Sequence, residues 1–386
     1  MRKQVAVTES LCINRVMNKG AEKYCFMEKV FDMHIHYSFD MPLKTTIEIF
    51  KEEFSVTHTQ KGCFLSLPHQ VVNGVVSYDE TQNIKALYLK KAFAPDFYAF
   101  AGLIHPQDHS DEKAVAKEFL RQAETYFSVG YDGMKMLEGY PSLLKAWGVP
   151  LDSKVYDDYY AFMEENGYPI ILHIANPEEN WNITQASLQA IQAGRVYDGS
   201  YPTKAEITAQ VFRVLEKYPR LKLTLAHFGF MSYDVAEAER FMSYPNTLFD
   251  TTPGGEQLIN MSKSWEQWLP FWEKYQDRIL YGTDYYAFPK DDHWETAFQR
   301  RPKFLRQFLE TDTKHDYLGE KFRGVKLDER LLQKICWDNA ERIFGKPKKI
   351  DEKYLFSETE KIFSPLKKTS TYADEDLRYI KGCFFE

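Results

Sequence analysis

Several things are scarce in these 386 residues, and each scarcity removes a class of protein. Only five cysteines occur, Cys12, Cys25, Cys63, Cys336 and Cys383, odd in number, scattered and without a CxxC pair. That pattern speaks against a disulfide framework or a zinc knuckle and for reduced thiols, the expectation for a cytoplasmic enzyme. No apolar run approaches 18 residues, so no transmembrane helix is expected. The opening MRKQVAVTESLCINRVMNKG starts basic but contains no apolar stretch of signal-peptide length. The formal charge is -7 with no basic block, which argues against nucleic acid or an anionic membrane as partner. No low-complexity linker divides the interior. No GxGxxG follows the first apolar run, so a dinucleotide-binding open sheet lacks its fingerprint.

What remains is a chain 44% hydrophobic and 16% aromatic, ample for a large core. Short apolar or β-branched runs alternate with amphipathic helical stretches. The predicted strands are FDMHIH, then Gly62–His69, Phe97–His105, Gly130–Leu137 and Pro169–Ala175, followed by KLTLAHFG, NTLFDTT and RILYGTDY. A helical pattern follows each of them, from Lys44–Val56 after the first to Pro302–Glu310 and Asp328–Phe344 after the last. Eight such units predict a closed parallel (β/α)8 (TIM) barrel over residues 26–345, one domain of the α/β class. Residues 1–25 are expected to be a peripheral segment. The charged residues 346–386 are expected to form a tail lying over the barrel exterior.

The stretch FDMHIHYSFD, Phe31 to Asp40, sets the functional question. His34 and His36 are residues i and i+2, so in a strand both leave from one face, roughly 7 Å apart at Cα, and can converge on one ion. Taken alone the pair is a weak signal, since partly exposed edge-strand histidines look the same. The rest of the chain strengthens it. His69, His105, His173 and His227 also fall at predicted strand ends, so six of the ten histidines lie where barrels gather their chemistry. Lys135 and Asp284 close the fourth and eighth strands. The other four histidines, His58, His109, His293 and His315, read as surface residues.

HIH on the first strand, LHIANP around His173, LAHFG around His227 and LYGTDY around Asp284 together resemble the amidohydrolase superfamily. The likeness is to the amidohydrolase-related branch that includes aminocarboxymuconate-semialdehyde decarboxylase, and WDNAERIFG (Trp337 to Gly345) and YPTKAE…KYPRLKLTLAHFG share in it. It spans roughly Phe31 to Gly345. The resemblance implies a divalent ion, zinc first and manganese or another divalent metal as alternatives, held by His34, His36, His173 and Asp284. Three histidines, one aspartate and an open position make a catalytic rather than a structural site, where water is activated near neutral pH. His227 is then implied to orient or deprotonate the water or to polarise a carbonyl, and Asp284 to shuttle a proton to the leaving group.

Lys135 stands near the position of the carbamylated lysine that bridges two metals in binuclear members of the superfamily. The branch resembled here normally uses one metal, so Lys135 is a candidate for such a bridge or for a pocket ion pair. His69 and His105 either line the pocket or bond loop carbonyls. The long connection after the fifth strand offers Asn176, Trp181, Arg195 and Tyr201 as substrate contacts, with Arg195 suited to a carboxylate. The same excursion could instead pack on a second subunit, and a homodimer is expected from the family likeness only. Tyr285, Tyr286 and Phe288 would suit a ring or an apolar group.

The leading expectation is a metal-dependent hydrolase of a C–N or C–O bond in a small molecule. A nonoxidative decarboxylase built on the same ligands is the alternative, and sequence ligands do not separate the two. A phosphoesterase fits less well, because the fourth strand offers lysine rather than glutamate. A non-catalytic metal-binding barrel would be expected to have lost part of the ligand set.

Overall fold

The computed structural model describes residues 27–38, 41–72, 75–254, 257–288, 297–366 and 372–385. The N-terminal segment 1–25 and His293 lie outside the described residues.

Nine parallel strands form the sheet: β1 (Val30–Tyr37), β2 (Thr59–Leu65), β3 (Phe97–Gly102), β4 (Gly133–Gly139), β5 (Pro169–Ile174), β6 (Lys222–Leu225), β7 (Thr247–Asp250), β8 (Ile279–Leu280) and β9 (Tyr285–Ala287). Their spatial order is β8-β7-β6-β5-β4-β3-β2-β1-β9. Apart from β9, each strand neighbours the next one in sequence, and helices occupy the crossovers, as a (β/α)8 barrel requires. The two edges of this order, β8 and β9, are halves of one eighth strand broken at Tyr281–Asp284. The Met33 amide donates to the Tyr281 carbonyl (2.9 Å), and Tyr285 pairs with Ile35, so the eighth strand closes the ring onto β1.

The strands are near-continuous apolar runs because parallel strands are covered on both faces. Outside, helices such as Glu112–Val129 and Lys204–Lys217 bury one face each. The first starts on an Asp111 N-cap and stops at left-handed Gly130; the second starts on a Thr203/Glu206 capping box. Inside, Phe31, Met33, Cys63, Leu65, Tyr98, Phe100, Ile171, Ala226, Leu248 and Leu280 form one apolar cluster. Trp337, Ile343 and Phe344 of the helical segment Glu329–Phe344 pack beneath it and plug the N-terminal end of the barrel. Phe31 stacks on Tyr98 (5.3 Å between centroids) and Phe100 meets Phe344 (6.0 Å).

One feature departs from the sequence expectation. β2 ends at Leu65, and His69 opens a separate antiparallel hairpin of His69–Val72 and Val75–Tyr78 rather than closing the second strand. Pro68 stands at that break, where it cannot donate a ladder hydrogen bond. Beyond Gly345 the chain forms two helices, Glu352–Leu366 and Ala373–Phe384, with Leu355, Phe363, Leu377 and Ile380 buried. Asp376 ties the second of these to the barrel, accepting from the Leu43 amide (2.6 Å) and pairing with Lys85 (3.1 Å). Cys63, Cys336 and Cys383 are free thiols. No helix among the described residues is long and apolar enough to cross a membrane.

Candidate metal centre and active site

The site begins with an irregularity in β1. Asp32 pairs opposite Gly62, but three residues later Ile35 pairs opposite Phe64, so β1 carries one extra residue. Such a bulge shifts the side-chain alternation by one. Below it, Phe31 and Met33 belong to the apolar interior; above it, His34 and His36 stand side by side at the mouth. The Asp32 carboxylate closes the bulge, accepting from the His34 amide (3.0 Å) and from the amide (3.0 Å) and hydroxyl of Thr283. Burial raises this carboxyl to about 7.

The protonation of the two imidazoles follows from their partners. His36 Nδ1 lies 2.9 Å from the Leu65 carbonyl, which can only accept, so Nδ1 carries the hydrogen. His34 Nδ1 lies 2.8 Å from an Asp250 carboxylate oxygen and likewise donates. Burial holds both rings well below their ordinary pKa, so both are neutral. Each Nε2 is therefore a bare lone pair, and the two face each other at 3.0 Å with no proton between them. Two acceptors in this position suit a cation, and the spacing fits two nitrogens each about 2.0–2.1 Å from one zinc ion.

Asp284 supplies the third donor. It sits at the break in the eighth strand with φ 53°, held there by its amide donating to the His34 carbonyl (2.8 Å). One carboxylate oxygen lies 3.7 Å from His34 Nε2 and 3.4 Å from His36 Nε2; the other pairs with Arg301, which also donates to the Asp284 carbonyl (2.9 Å). Burial raises Asp284 to about 6, against the pull of Arg301. Among the described residues, His34, His36 and Asp284 form the one cluster of metal-type donors, their atoms all within 4.8 Å of one another.

Lys135, inside β4 rather than at its end, places Nζ 3.4 Å from His34 Nε2, and burial lowers it to about 8. His173 lies one ring further out. Its Nε2 donates to the Ala175 carbonyl (3.0 Å), which leaves Nδ1 as its lone-pair nitrogen, and burial lowers it to about 3. His227 bridges the gap, with its ring 4.9 Å from His173 and 5.5 Å from His34. It follows β6 in a turn where His227, Phe228, Gly229 and Phe230 all have φ between 51° and 59°. Left-handed backbone costs a non-glycine residue about 1–2 kcal/mol, so His227, Phe228 and Phe230 keep it only where the surroundings enforce it. The His227 amide donates to Asp250 (2.8 Å) and Thr252 (2.8 Å). Burial keeps the ring neutral, and its Nδ1 has no hydrogen-bond partner among the described residues. At Gly254 a Cβ would come within 2.7 Å of that nitrogen, so glycine is what leaves the ring its room.

Above these groups opens a cavity of about 150 Å³, walled by His36, Lys135, His173, His227 and Asp284 below and by Asn176, Arg195, Tyr286 and Arg301 around the rim. Arg195 has no carboxylate partner among the described residues. Tyr286 packs on His36 (4.7 Å). Trp181 and Tyr201 do not reach this cavity. They line a separate surface cleft, where Trp181 donates to the Pro202 carbonyl (3.1 Å) and Tyr201 lies under Lys145 (3.9 Å). The excursion doubles back between them and Arg195. His69 and His105 are also off the cavity wall: their rings stack at 4.1 Å, the His105 amide donates to His69 Nε2 (3.0 Å), and His105 pairs with Glu138 (2.8 Å). They anchor the hairpin whose Gln70 and Val71 do line the cavity.

Asp250, Arg301, Glu138 and Thr252 were not singled out from the sequence. Asp250 carried a usable signal, an acid closing the predicted strand NTLFDTT. Arg301 carried none, lying in a helix 17 residues from its partner.

The amidohydrolase family model matches residues 31–346. No curated protein sequence matches the chain. Among solved structures, a TIM-barrel protein from Bordetella bronchiseptica superposes with a TM-score of 0.50 at 15% identity, covering 82% of this chain and 98% of its own. 4-Oxalomesaconate hydratase from Rhodopseudomonas palustris gives 0.50 at 14% identity, over 88% and 99%. At such identities the structural likeness speaks for the barrel alone, whereas the family match covers strand one to the closing helix and every donor described above. The chain belongs to the amidohydrolase family and is a metal-dependent enzyme.

Proposed function

We propose that this protein hydrolyses a C–N or C–O bond of a small organic molecule, with one divalent ion held by the clustered donors His34, His36 and Asp284 and with His173, one ring further out, as the fourth expected ligand. The observation that carries the reading is the pair of unprotonated Nε2 atoms facing each other at 3.0 Å beside the Asp284 carboxylate. Zinc suits this nitrogen and oxygen set, with manganese as the alternative. An ion there supplies Lewis acidity to water and to a substrate carbonyl.

The remaining steps belong to the chain. His227, neutral and with Nδ1 unpartnered, takes a proton from water as its oxygen bonds to the carbonyl carbon. The proton that His227 has taken is then handed, through Asp284, to the nitrogen or oxygen that leaves as the C–N or C–O bond breaks, which returns both groups to their starting state. Arg301 holds Asp284 in line for both roles. Arg195, which forms no ion pair with a carboxylate among the described residues, would grip a substrate carboxylate by its planar fork, and Asn176 also lines the cavity. Lys135 carries no carbamate in this mononuclear site.

One observation favours a second reading. Lys135, Arg195 and Arg301 all border the same cavity, and such a cationic wall also suits a carboxylate that is itself lost as CO₂. A cytoplasmic location and a homodimer are part of the proposal, the first consistent with the free thiols.

The test is metal analysis on purified protein followed by turnover of small lactones, amides and carboxylates in ¹⁸O-labelled water. Near one equivalent of metal and one labelled oxygen per product would bear out the hydrolase. Release of CO₂ without label would select the decarboxylase. Two equivalents would point to a carbamylated Lys135, and no uptake of Zn²⁺ or Mn²⁺ would overturn the reading.

A further inference from the structure

Asp250 stands at the end of β7, on a strand that contributes no donor to the His34, His36 and Asp284 cluster. It is fully buried, and its two oxygens face different elements. Oδ2 accepts from His34 Nδ1 on β1 (2.8 Å). Oδ1 accepts from the His227 amide (2.8 Å), the Thr252 amide (3.2 Å) and the Thr252 hydroxyl. One carboxylate thus holds both the imidazole that must present a bare Nε2 and the left-handed turn that carries His227.

We propose that Asp250 is a positioning residue that sets the His34 tautomer, keeping Nε2 free to receive the metal, and at the same time fixes the height of the His227 turn. The inference rests on the metal-site reading above and deepens it. The reason a carboxylate is needed is a count of hydrogens. Two of the three donors at Oδ1 are backbone amides, which cannot turn around, so any replacement must accept there. A carboxylate can accept on both sides. A carboxamide accepts on one side only, so Asp250→Asn would place its oxygen toward the His227 and Thr252 amides and its NH₂ toward His34. His34 Nδ1 would then have to accept, and its hydrogen would move to Nε2, filling the lone pair that faces His36. The shape of the core is retained while the donor is removed. His36 is the internal control: its Nδ1 donates to the Leu65 carbonyl, which the substitution does not touch.

The experiment is metal titration of full-length wild type and Asp250→Asn with Zn²⁺, together with ¹⁵N NMR of the histidine rings in the metal-free proteins. Expected are a wild-type His34 with hydrogen on Nδ1, an Asp250→Asn His34 with hydrogen on Nε2, an unchanged His36, and a loss of zinc affinity of at least about 10–100-fold, the range for outer partners of ligating histidines. A merely structural role would lower thermal stability without moving the tautomer. Wild-type zinc affinity in Asp250→Asn would overturn the proposal and leave the metal site standing. If the wild type takes up no zinc, the metal-site reading fails, and the ring spectrum still decides the tautomer claim. Should the variant not fold, the wild-type spectrum alone decides, since a metal-free His34 with hydrogen on Nε2 overturns the proposal.

Discussion

The two ends of the barrel are built from the same strands and obey opposite rules. Toward the N-terminal end, Phe31, Met33, Leu65, Tyr98 and Phe100 fill the interior and Trp337 and Phe344 seal it, with hardly a polar atom among them. Toward the C-terminal end of the barrel, His34, His36, Lys135, His173, His227, Asp250 and Asp284 are also buried, and every one of them is ionisable. The first end gains free energy by removing apolar surface from water, about 25 cal/mol per Å². The second end costs free energy, because polar groups are desolvated and several backbone residues sit at positive φ. The closed, well-packed end is what sustains the strained, open one. In β1 the boundary between them is a single bulge after Asp32.

That division is open to attack from both sides. The largest effect is expected at the mouth: the double variant His34→Ala/His36→Ala should lose the metal and at least about 10³-fold in activity, roughly 4 kcal/mol of transition-state stabilisation. Its thermal unfolding should stay close to that of the metal-free wild type, since the removed groups were not packing the core. A loss of fold would show that the mouth carries stability after all. At the other end, Phe100→Ala should cost about 3–5 kcal/mol by denaturant unfolding while metal per folded chain is unchanged. Metal lost from the folded fraction would mean the two ends are not separable.

A smaller effect is expected at the rim. Arg195→Ala should raise KM for a carboxylate substrate about 10–100-fold with less change in kcat, because the arginine grips the substrate in ground and transition states alike. A fall in kcat alone would place Arg195 in the chemistry instead. The smallest effect lies far from the site, at Glu310, buried against Arg306 and the Met27 amide, where burial raises the carboxyl from 4.5 to about 7. A raised acid contributes stability in full below about 4.5 and has lost it above about 7. Wild type should therefore lose stability relative to Glu310→Gln as the pH rises through that window, with a slope of at most about 1.4 kcal/mol per pH unit. Parallel pH curves for the two proteins would contradict it.

Metal removal compares the ends without any mutation. Chelation should leave the apolar end intact and abolish turnover, with activity restored by Zn²⁺ or Mn²⁺. Unfolding on chelation would show that the ion holds the barrel together.

Much of this was legible because it depends on local pattern. Period-two histidines, apolar runs of strand length and amphipathic stretches between them report the eight units directly, since each side chain's face follows from its position along the element. His34, His36, Lys135, His173, His227 and Asp284 could be gathered on one rim because a parallel barrel places all its strand ends together. The readings that moved did so where geometry is not periodic. Pro68 sent His69 into a hairpin, and the doubling back of the excursion carried Arg195 to the cavity and Trp181 and Tyr201 to a cleft outside it.

The sequence by itself determined the barrel and the chemical types at its mouth, because strand and helix periods are written in the order of residues. Only the tertiary structure decided which nitrogen of His34 and of His36 is bare, that Asp250 and Arg301 stand behind the donors, and which arm of the long loop meets the cavity. Those depend on hydrogen-bond partners 17 to 216 residues away, and no local pattern encodes a partner at that distance.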